Sequence, residues 1–158
     1  MENAYDSPGS LPVIEQATWR DLNSLRQIEK ICFPKDAWPL WDLIGVLTLP
    51  NVVRLKALVD GEMVGFISGE VHPGDGMAWI ATVGVLPEFR RRGIGQALIL
   101  QCEQLLGKQS RRGRIRLSVR ISNQEAIQLY LYLGYQKINI WPEYYIDRED
   151  AVVMEKTL

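Results

Sequence analysis

The chain has 158 residues, of which 47% are hydrophobic and 23% charged, and its formal net charge is −1. This is the composition of an ordinary globular protein, and the length suits a single domain. No apolar run approaches the ~20 residues of a membrane-spanning helix, and residues 1–12 lack the pattern of a signal peptide. We therefore expect no membrane association and a cytoplasmic location.

The first half of the chain predicts a flexible tail followed by strands and helices. Residues 1–12 form the tail, and residues 13–158 form the domain. The predicted elements are a strand over 13–17, a helix from Leu22 to Cys32, a helix over 41–47, and strands over 52–59, 62–71 and 77–85. Asp60-Gly61 predicts a tight hairpin turn. The two cysteines have no spacing typical of a metal site, so no bound metal is expected.

The second half predicts two longer helices and three strands. In order, these are a helix beginning near Ile94, a strand over 114–119, a helix over 126–133, and strands over 135–140 and 151–158. Ser122 and Glu125 predict a capping box before the second of these helices, and Gly134 its end. The alternation of strands and helices indicates an α/β fold with a mixed sheet of about seven strands, flanked by about four helices.

Positive charge is concentrated in one part of this chain. From Arg90 to Arg120 there are nine lysines and arginines against one acid, Glu103. A local basic field on an otherwise acidic protein favours a small polyanionic ligand. Nucleic acid is not expected, because few aromatic residues are interleaved with these arginines for base stacking. The alternative is a solvated basic face that binds nothing.

The sequence RRRGIG at residues 90–95 marks the predicted junction of a strand and a helix. The free N–H groups at a helix N-terminus carry partial positive charge and bind phosphates. Gly93 and Gly95 leave room for such a ligand, because they have no side chains. The segment lacks the third glycine of the dinucleotide-binding fingerprint, so a nicotinamide or flavin cofactor is not indicated.

Arg90, Gly93 and Gly95 match the signature Gln/Arg-x-x-Gly-x-Gly/Ala, and on this basis the chain resembles the GNAT superfamily of N-acetyltransferases. Three segments resemble its branch of protein N-terminal acetyltransferases, which includes the bacterial ribosomal-protein-alanine acetyltransferase. They are WIATVGVLPEFRRRGIG, LSVRISNQEAIQLYLYLGY and EYYIDREDAVVM. The resemblance implies one domain whose mostly antiparallel sheet is splayed at the cofactor strand.

The resemblance also implies that acetyl-CoA is the acetyl donor. The residues expected to bind it are Val83, Gly84 and Val85 along the pantetheine arm, Arg90, Arg91, Arg92, Gly93, Ile94, Gly95 and Gln96 around the pyrophosphate, and Asn123 and Tyr130 near the sulfur. By the same resemblance Tyr130 protonates the departing thiolate. Gly84 is expected to form a β-bulge that separates its strand from the strand over 114–119.

The resemblance leaves the general base unassigned. Relatives carry Glu or His at the position of Ser118, and one carries Tyr at the position of Trp79. Neither Ser118 nor Trp79 can accept a proton near neutral pH. The replacements considered are Glu70, His72, or a water molecule positioned by Ser118.

The expected acceptor is the N-terminal α-amine of a protein or peptide. Its contacts, implied by the resemblance, are Phe33, Pro34, Trp79, Tyr144 and Tyr145. The lack of a strong base favours an α-amine, because its pKa of ~7.7–8.0 lies below the ~10.4 of lysine. The alternatives are a lysine or small-molecule amine as acceptor, or an acyl-CoA-binding module without activity. The sequence does not name the acceptor protein or the oligomeric state.

Overall fold

The computed structural model describes residues 10–158, so the predicted tail lies largely outside the described residues. The elements are β1 (Val13–Gln16), α1 (Leu22–Cys32), α2 (Leu40–Thr48), β2 (Val52–Val59), β3 (Glu62–Val71), β4 (Ala78–Val85), α3 (Ile94–Gly107), β5 (Arg114–Arg120), α4 (Gln124–Tyr132), β6 (Gln136–Trp141) and β7 (Ala151–Thr157). Short 3₁₀ turns over Trp19–Asp21 and Pro87–Phe89 precede α1 and α3. The predicted order of elements is confirmed. None of these helices is long and apolar enough to cross a membrane.

The strands form one sheet in the order β1-β2-β3-β4-β5-β7-β6. Neighbouring strands are antiparallel except β4 and β5, which are parallel, so the sheet is mixed and mostly antiparallel as predicted. β2 and β3 join through Asp60 (φ 51°) and Gly61 (φ 80°). Both residues adopt the left-handed backbone conformation, which a tight hairpin turn requires if it is to match the twist of its strands.

Helices cover both faces of the sheet. One face packs against α3 and α4 through a core that includes Ile67, Leu98 and Ile127. The other face packs against α1 and α2 through a second core that includes Leu25 and Phe66. Burial of these two apolar layers holds the helices against the sheet and fixes the position of each helix end.

The start of α4 differs from the prediction of a Ser122–Glu125 capping box. The N-cap is Asn123, whose Oδ1 accepts a hydrogen bond from the N–H of Ala126 at 3.2 Å. The N–H of Ser122 instead donates to Glu149 Oε2 at 2.9 Å. The helix therefore begins at Gln124, because Ser122 is held by the loop before β7.

β4 and β5 diverge, which opens the sheet at its centre. They are paired only at Ala78↔Ile115 and Trp79↔Arg116. Beyond Trp79, β4 continues to pair with β3 as far as Val85. Its other edge therefore presents backbone N–H and C=O groups to the space between the strands.

The predicted bulge at Gly84 is wrong, because the bulge lies at Ala81. Ser68 pairs with Thr82 and Gly69 with Ile80, which leaves Ala81 as the extra residue of β4. Gly84 has a packing role. A Cβ at Gly84 would lie 3.2 Å from Cys32 Sγ and 3.2 Å from Phe33 Cε2, so only glycine lets the end of α1 approach β4 this closely.

Candidate active site

The space between β4 and β5 is a cleft of about 480 Å³. It is bordered by the edge of β4, the beginning of α3 and one side of α4. Every residue predicted to bind the donor lines it, apart from Arg92: Val83, Gly84, Val85, Arg90, Arg91, Gly93, Ile94, Gly95, Gln96, Asn123 and Tyr130. Phe33, predicted on the acceptor side, also lines this cleft.

The turn before α3 presents backbone amides to the cleft. Gly93 is the N-cap of α3 and adopts φ 79°, a left-handed conformation that favours glycine. A Cβ at Gly93 would meet no atom within 4 Å, so the space above the turn is open. The first N–H groups of α3 have no partners within the helix and add to the positive end of its dipole. The turn is therefore suited to an anion.

The three arginines of this turn point in different directions. Arg90 Nε donates to the carbonyl of Val85 at 2.9 Å, which ties the turn to the end of β4. The Arg92 guanidinium lies 5.1 Å from the ring centroid of Phe89. Arg91 Nε lies 3.9 Å from Glu125 Oε1 on α4, and both side chains are exposed. These contacts hold the three side chains around the turn.

The predicted basic field is divided by the fold into separate groups. The side chains of Arg111 and Arg112 donate to carbonyls of the loop between β3 and β4. Arg114 and Arg116 both pair with Glu155 on β7. Only the arginines at residues 90–92 lie at the turn beside the cleft, so much of the basic segment serves to hold the fold together.

Tyr130 lines the cleft from α4, and its side chain is buried. Burial, together with the nearby phenol of Tyr145, raises the pKa of Tyr130 well above its usual value. Its hydroxyl therefore keeps its proton at neutral pH. The ring packs edge-to-face against Tyr135 at 5.8 Å, which holds the side chain in place. The arrangement places a protonated, well-packed phenol at the cleft.

A row of rings in mutual contact lies on the side of the sheet opening near Trp79. This aromatic row consists of His72, Trp79, Trp141, Tyr144 and Tyr145, with successive ring centroids 5.1–5.9 Å apart. Three of its members were predicted to contact the acceptor, and Trp141 was missed. The signal for Trp141 was its position next to Pro142, only a few residues before the Tyr144-Tyr145 pair. Pro34, also predicted here, is exposed.

The candidate bases lie away from the cleft. Glu70 Oε1 lies 3.6 Å from His72 Nε2, and both side chains are about half exposed. Glu70 lines a separate cavity of about 310 Å³ beside α2. Ser118 is partly buried, and its side chain is close enough to the Tyr145 phenol to act on the pKa of that phenol. Burial and the charge of Asp36 raise the pKa of Tyr145 to about 12, so this phenol is not a base at neutral pH.

Glu29 is a buried acid that the sequence analysis did not single out. It lies on α1 with only 2% of its surface exposed. Its carboxylate accepts long hydrogen bonds from Thr82 Oγ1 (3.3 Å) and from the N–H of Trp38 (3.5 Å). Burial raises the pKa of Glu29 because these two contacts compensate only partly for lost hydration. The sequence does not predict this burial, because a single Glu inside an amphipathic helix normally lies on its exposed face.

Comparison with known proteins agrees with this geometry. Residues 19–135 match the model of the family described as "Acetyltransferase (GNAT) family". An N-alpha-acetyltransferase of Sulfurisphaera tokodaii is 29% identical over 168 residues, with 100% of both chains covered. The ribosomal-protein-S18-alanine N-acetyltransferase from Escherichia coli is similar in structure, with a TM-score of 0.80 at 28% identity over 92% of this chain and 93% of that one. Ard1 from Thermoplasma volcanium gives a TM-score of 0.82 at 27% identity over 94% and 99%.

Proposed function

Because the chain belongs to the acetyltransferase (GNAT) family, we propose that it transfers the acetyl group of acetyl-CoA to the N-terminal α-amine of a protein or peptide. The cleft between β4 and β5 carries this proposal, since the amides of α3, the free edge of β4 and Tyr130 all border it. The acceptor class is supported by relatives named N-alpha-acetyltransferase and by the alanine acetyltransferase of a ribosomal protein.

The residues of the cleft fit coenzyme A in charge and in shape. The amides of Ile94, Gly95 and Gln96 at the start of α3 would bind the pyrophosphate, and Gly93 leaves the approach open. The free edge of β4 at Val83–Val85 would pair with the amides of the pantetheine arm, as an added strand does. These contacts would direct the thioester toward Tyr130.

Tyr130 is the proton donor in this proposal. The acceptor nitrogen attacks the thioester carbonyl carbon, a C–N bond forms, and the C–S bond breaks. Tyr130 gives its proton to the departing thiolate, the nitrogen loses a proton to water, and the Tyr130 phenolate then takes up a proton from solvent. The buried phenol is protonated at neutral pH, as an acid must be before it reacts. Asn123 borders the same cleft and would lie near the sulfur.

The absence of a base at Ser118 and Trp79 supports an α-amine as the acceptor. Deprotonating a lysine at neutral pH costs about 3.5 kcal/mol more than deprotonating an α-amine, since their pKa values differ by ~2.5 units. No strong base stands at Ser118 or Trp79, and Glu70 faces another cavity. A water molecule beside Ser118 would suffice to take the proton of an α-amine.

Two loops would hold the acceptor chain. Residues 33–39 join α1 to α2, and residues 142–150 join β6 to β7. We call these the acceptor loops. The first contains Phe33 and Pro34, and the second contains Tyr144 and Tyr145, which continue the aromatic row. Flat aromatic surfaces of this kind pack well against an extended peptide.

Release of free thiol from acetyl-CoA tests the proposal. A set of peptides that differ in their first residue is compared with the same peptides blocked by an N-terminal formyl group. Each peptide contains one internal lysine, so the blocked form still offers an ε-amine. We expect thiol release well above background hydrolysis for at least one free peptide, and its loss on blocking.

Three other results would contradict the proposal in distinguishable ways. Equal turnover of blocked and free peptides would indicate a lysine acetyltransferase. Turnover of a polyamine but of no peptide would indicate a small-molecule acceptor. Tight acetyl-CoA binding with no acceptor-dependent thiol release would indicate a binding module.

A further inference from the structure

Arg120, the last residue of β5, contacts both acceptor loops. Its guanidinium binds Asp36 of the first loop through two hydrogen bonds, Nη2 to Oδ1 at 2.7 Å and Nε to Oδ2 at 2.8 Å. Through Nη1 it binds Asp147 and Glu149 of the second loop, each at 2.9 Å. One side chain on a rigid strand therefore joins two loops that are distant in sequence.

This arrangement, which we call the Arg120 network, is more than a surface ion pair. The Arg120 side chain is only 15% exposed, and its planar fork matches the Asp36 carboxylate at two points. Hydrogen bonds from Arg120 lower the pKa of Asp147, and hydrogen bonds from Ser122 and then Arg120 lower the pKa of Glu149, so both carboxylates remain ionised near neutral pH. By contrast, Lys35 pairs with Asp147 at 3.5 Å with both side chains well exposed, and such a contact contributes little.

The network also holds Tyr145. The Arg120 guanidinium lies 4.1 Å from the ring centroid of Tyr145, a close cation–π contact. The Ser118 side chain partly offsets the rise in the pKa of Tyr145. Tyr145 in turn contributes to the raised pKa of Tyr130. A shift of the guanidinium would therefore move a ring that stands beside the proposed proton donor.

We infer that Arg120 is a positioning residue that holds the two acceptor loops at a fixed separation and so forms the entrance for an extended chain terminus. The inference rests on the proposed function. Because the other ion pair between the two loops, Lys35–Asp147, is exposed, losing the Arg120 guanidinium would let the loops separate. Peptide binding would then weaken while the donor cleft, which Arg120 does not border, stays intact.

Arg120→Met is the principal test, with Lys56→Met as a matched control. Lys56 has a similarly buried side chain (13% exposed) and pairs with Asp21 at 2.9 Å, on β2 away from both loops. We expect the peptide KM of Arg120→Met to rise at least about tenfold, since a displacement of about 1 Å at an active site can cost ~100-fold in rate. The Kd of acetyl-CoA should change less than about twofold in both variants, and the peptide KM of Lys56→Met should stay near that of the wild type.

Arg120→Lys separates geometry from charge. Lysine keeps the positive charge but cannot bind Asp36 with two hydrogen bonds and reach the second loop as well. We expect Arg120→Lys to be more thermally stable than Arg120→Met, while its peptide KM stays above that of the wild type. If Arg120→Lys restores the peptide KM completely, the charge alone is sufficient and the positioning role is wrong.

Asp36→Asn and Asp147→Asn keep the test decisive if Arg120→Met does not fold. Each removes one arm of the network and should raise the peptide KM in the same direction by a smaller factor. Unchanged peptide KM values in these variants would overturn the inference. Absence of peptide turnover by the wild-type chain would instead overturn the proposed function, so the two failures are distinguishable.

Discussion

Trp79 of β4 and Trp141 of β6 stack with their ring centroids 5.9 Å apart, although β5 and β7 lie between their strands in the sheet. The two rings are large enough to meet although their strands are not neighbours. Trp141 also packs on Tyr144 at 5.2 Å. It thereby links the cofactor strand to the second acceptor loop.

Trp141→Ala should weaken acceptor binding and leave donor binding unchanged. Each aromatic contact contributes about 0.5–1.5 kcal/mol, so the loss of two corresponds to a rise in peptide KM of roughly 5- to 140-fold. Steady-state kinetics with peptide and calorimetry with acetyl-CoA measure the two effects. Trp41→Ala is the control, because Trp41 is 80% exposed on α2, and it should behave as the wild type. An unchanged peptide KM in Trp141→Ala would remove the aromatic row from the acceptor site.

Gly93→Glu should abolish coenzyme A binding by placing a side chain and a negative charge on the anion turn. The substitution also strains the backbone, because Gly93 has φ 79°. Gly61→Glu is matched in this respect, with φ 80° and equally open space, but lies in the hairpin turn between β2 and β3. Both variants should lose about 1–2 kcal/mol of stability. Calorimetry should show normal affinity only in Gly61→Glu, and equal affinity in both would dismiss the anion turn.

Tyr130→Phe should lower kcat by ~10²–10⁴-fold with little change in acetyl-CoA affinity, because the thiolate loses its proton donor. Tyr135→Phe is the control. Tyr135 packs against Tyr130 and donates a hydrogen bond to Glu103 Oε1 at 2.8 Å, so its loss should reduce stability. It should leave kcat within a few-fold of the wild type. A fall of under about threefold in Tyr130→Phe, with chemistry limiting turnover, would assign Tyr130 to packing.

The pH dependence of catalysis should follow the acceptor amine. Tyr145, whose pKa is raised to about 12, does not act as a base near neutral pH. The value of kcat/KM should therefore rise with pH toward a midpoint near ~8, the pKa of an α-amine. Ser118→Glu should introduce a base and move the rise to lower pH, whereas Ser118→Ala should not. Glu70→Gln and His72→Ala should leave the profile nearly unchanged. Loss of activity in either, with intact acetyl-CoA binding, would identify a side-chain base.

Glu29 should make stability fall as pH rises. Its pKa is raised in the folded protein, so its favourable contribution is complete below the unfolded value and is lost as pH rises through the folded value. The free energy of unfolding in urea should therefore be compared between Glu29→Gln and the wild type. The difference should shift in favour of Glu29→Gln as pH rises from the unfolded to the folded pKa of Glu29. Glu155→Gln should behave oppositely, because Arg116 and Arg114 lower the pKa of Glu155. A pH-independent difference for Glu29→Gln would show that the charge is not buried.

Local features of this protein were predictable from the sequence because neighbouring residues determine them. The Asp60-Gly61 turn requires left-handed conformations that these two residues tolerate. The amide turn before α3 follows from two glycines at the start of an apolar periodic segment. Most of the residues around the donor cleft could be named in advance, since they occupy this turn, the adjoining strand and the start of one helix.

Tertiary structure alone decided the acceptor side. Arg120 and Asp36 are 84 residues apart, and Trp79 and Trp141 lie on strands that are not neighbours in the sheet. The bulge lies at Ala81, and the lack of a side chain at Gly84 instead serves the close packing of α1. Glu29 became a buried acid through the same packing of α1 on β4. Such contacts depend on how whole elements pack, and no local pattern of residue types encodes them.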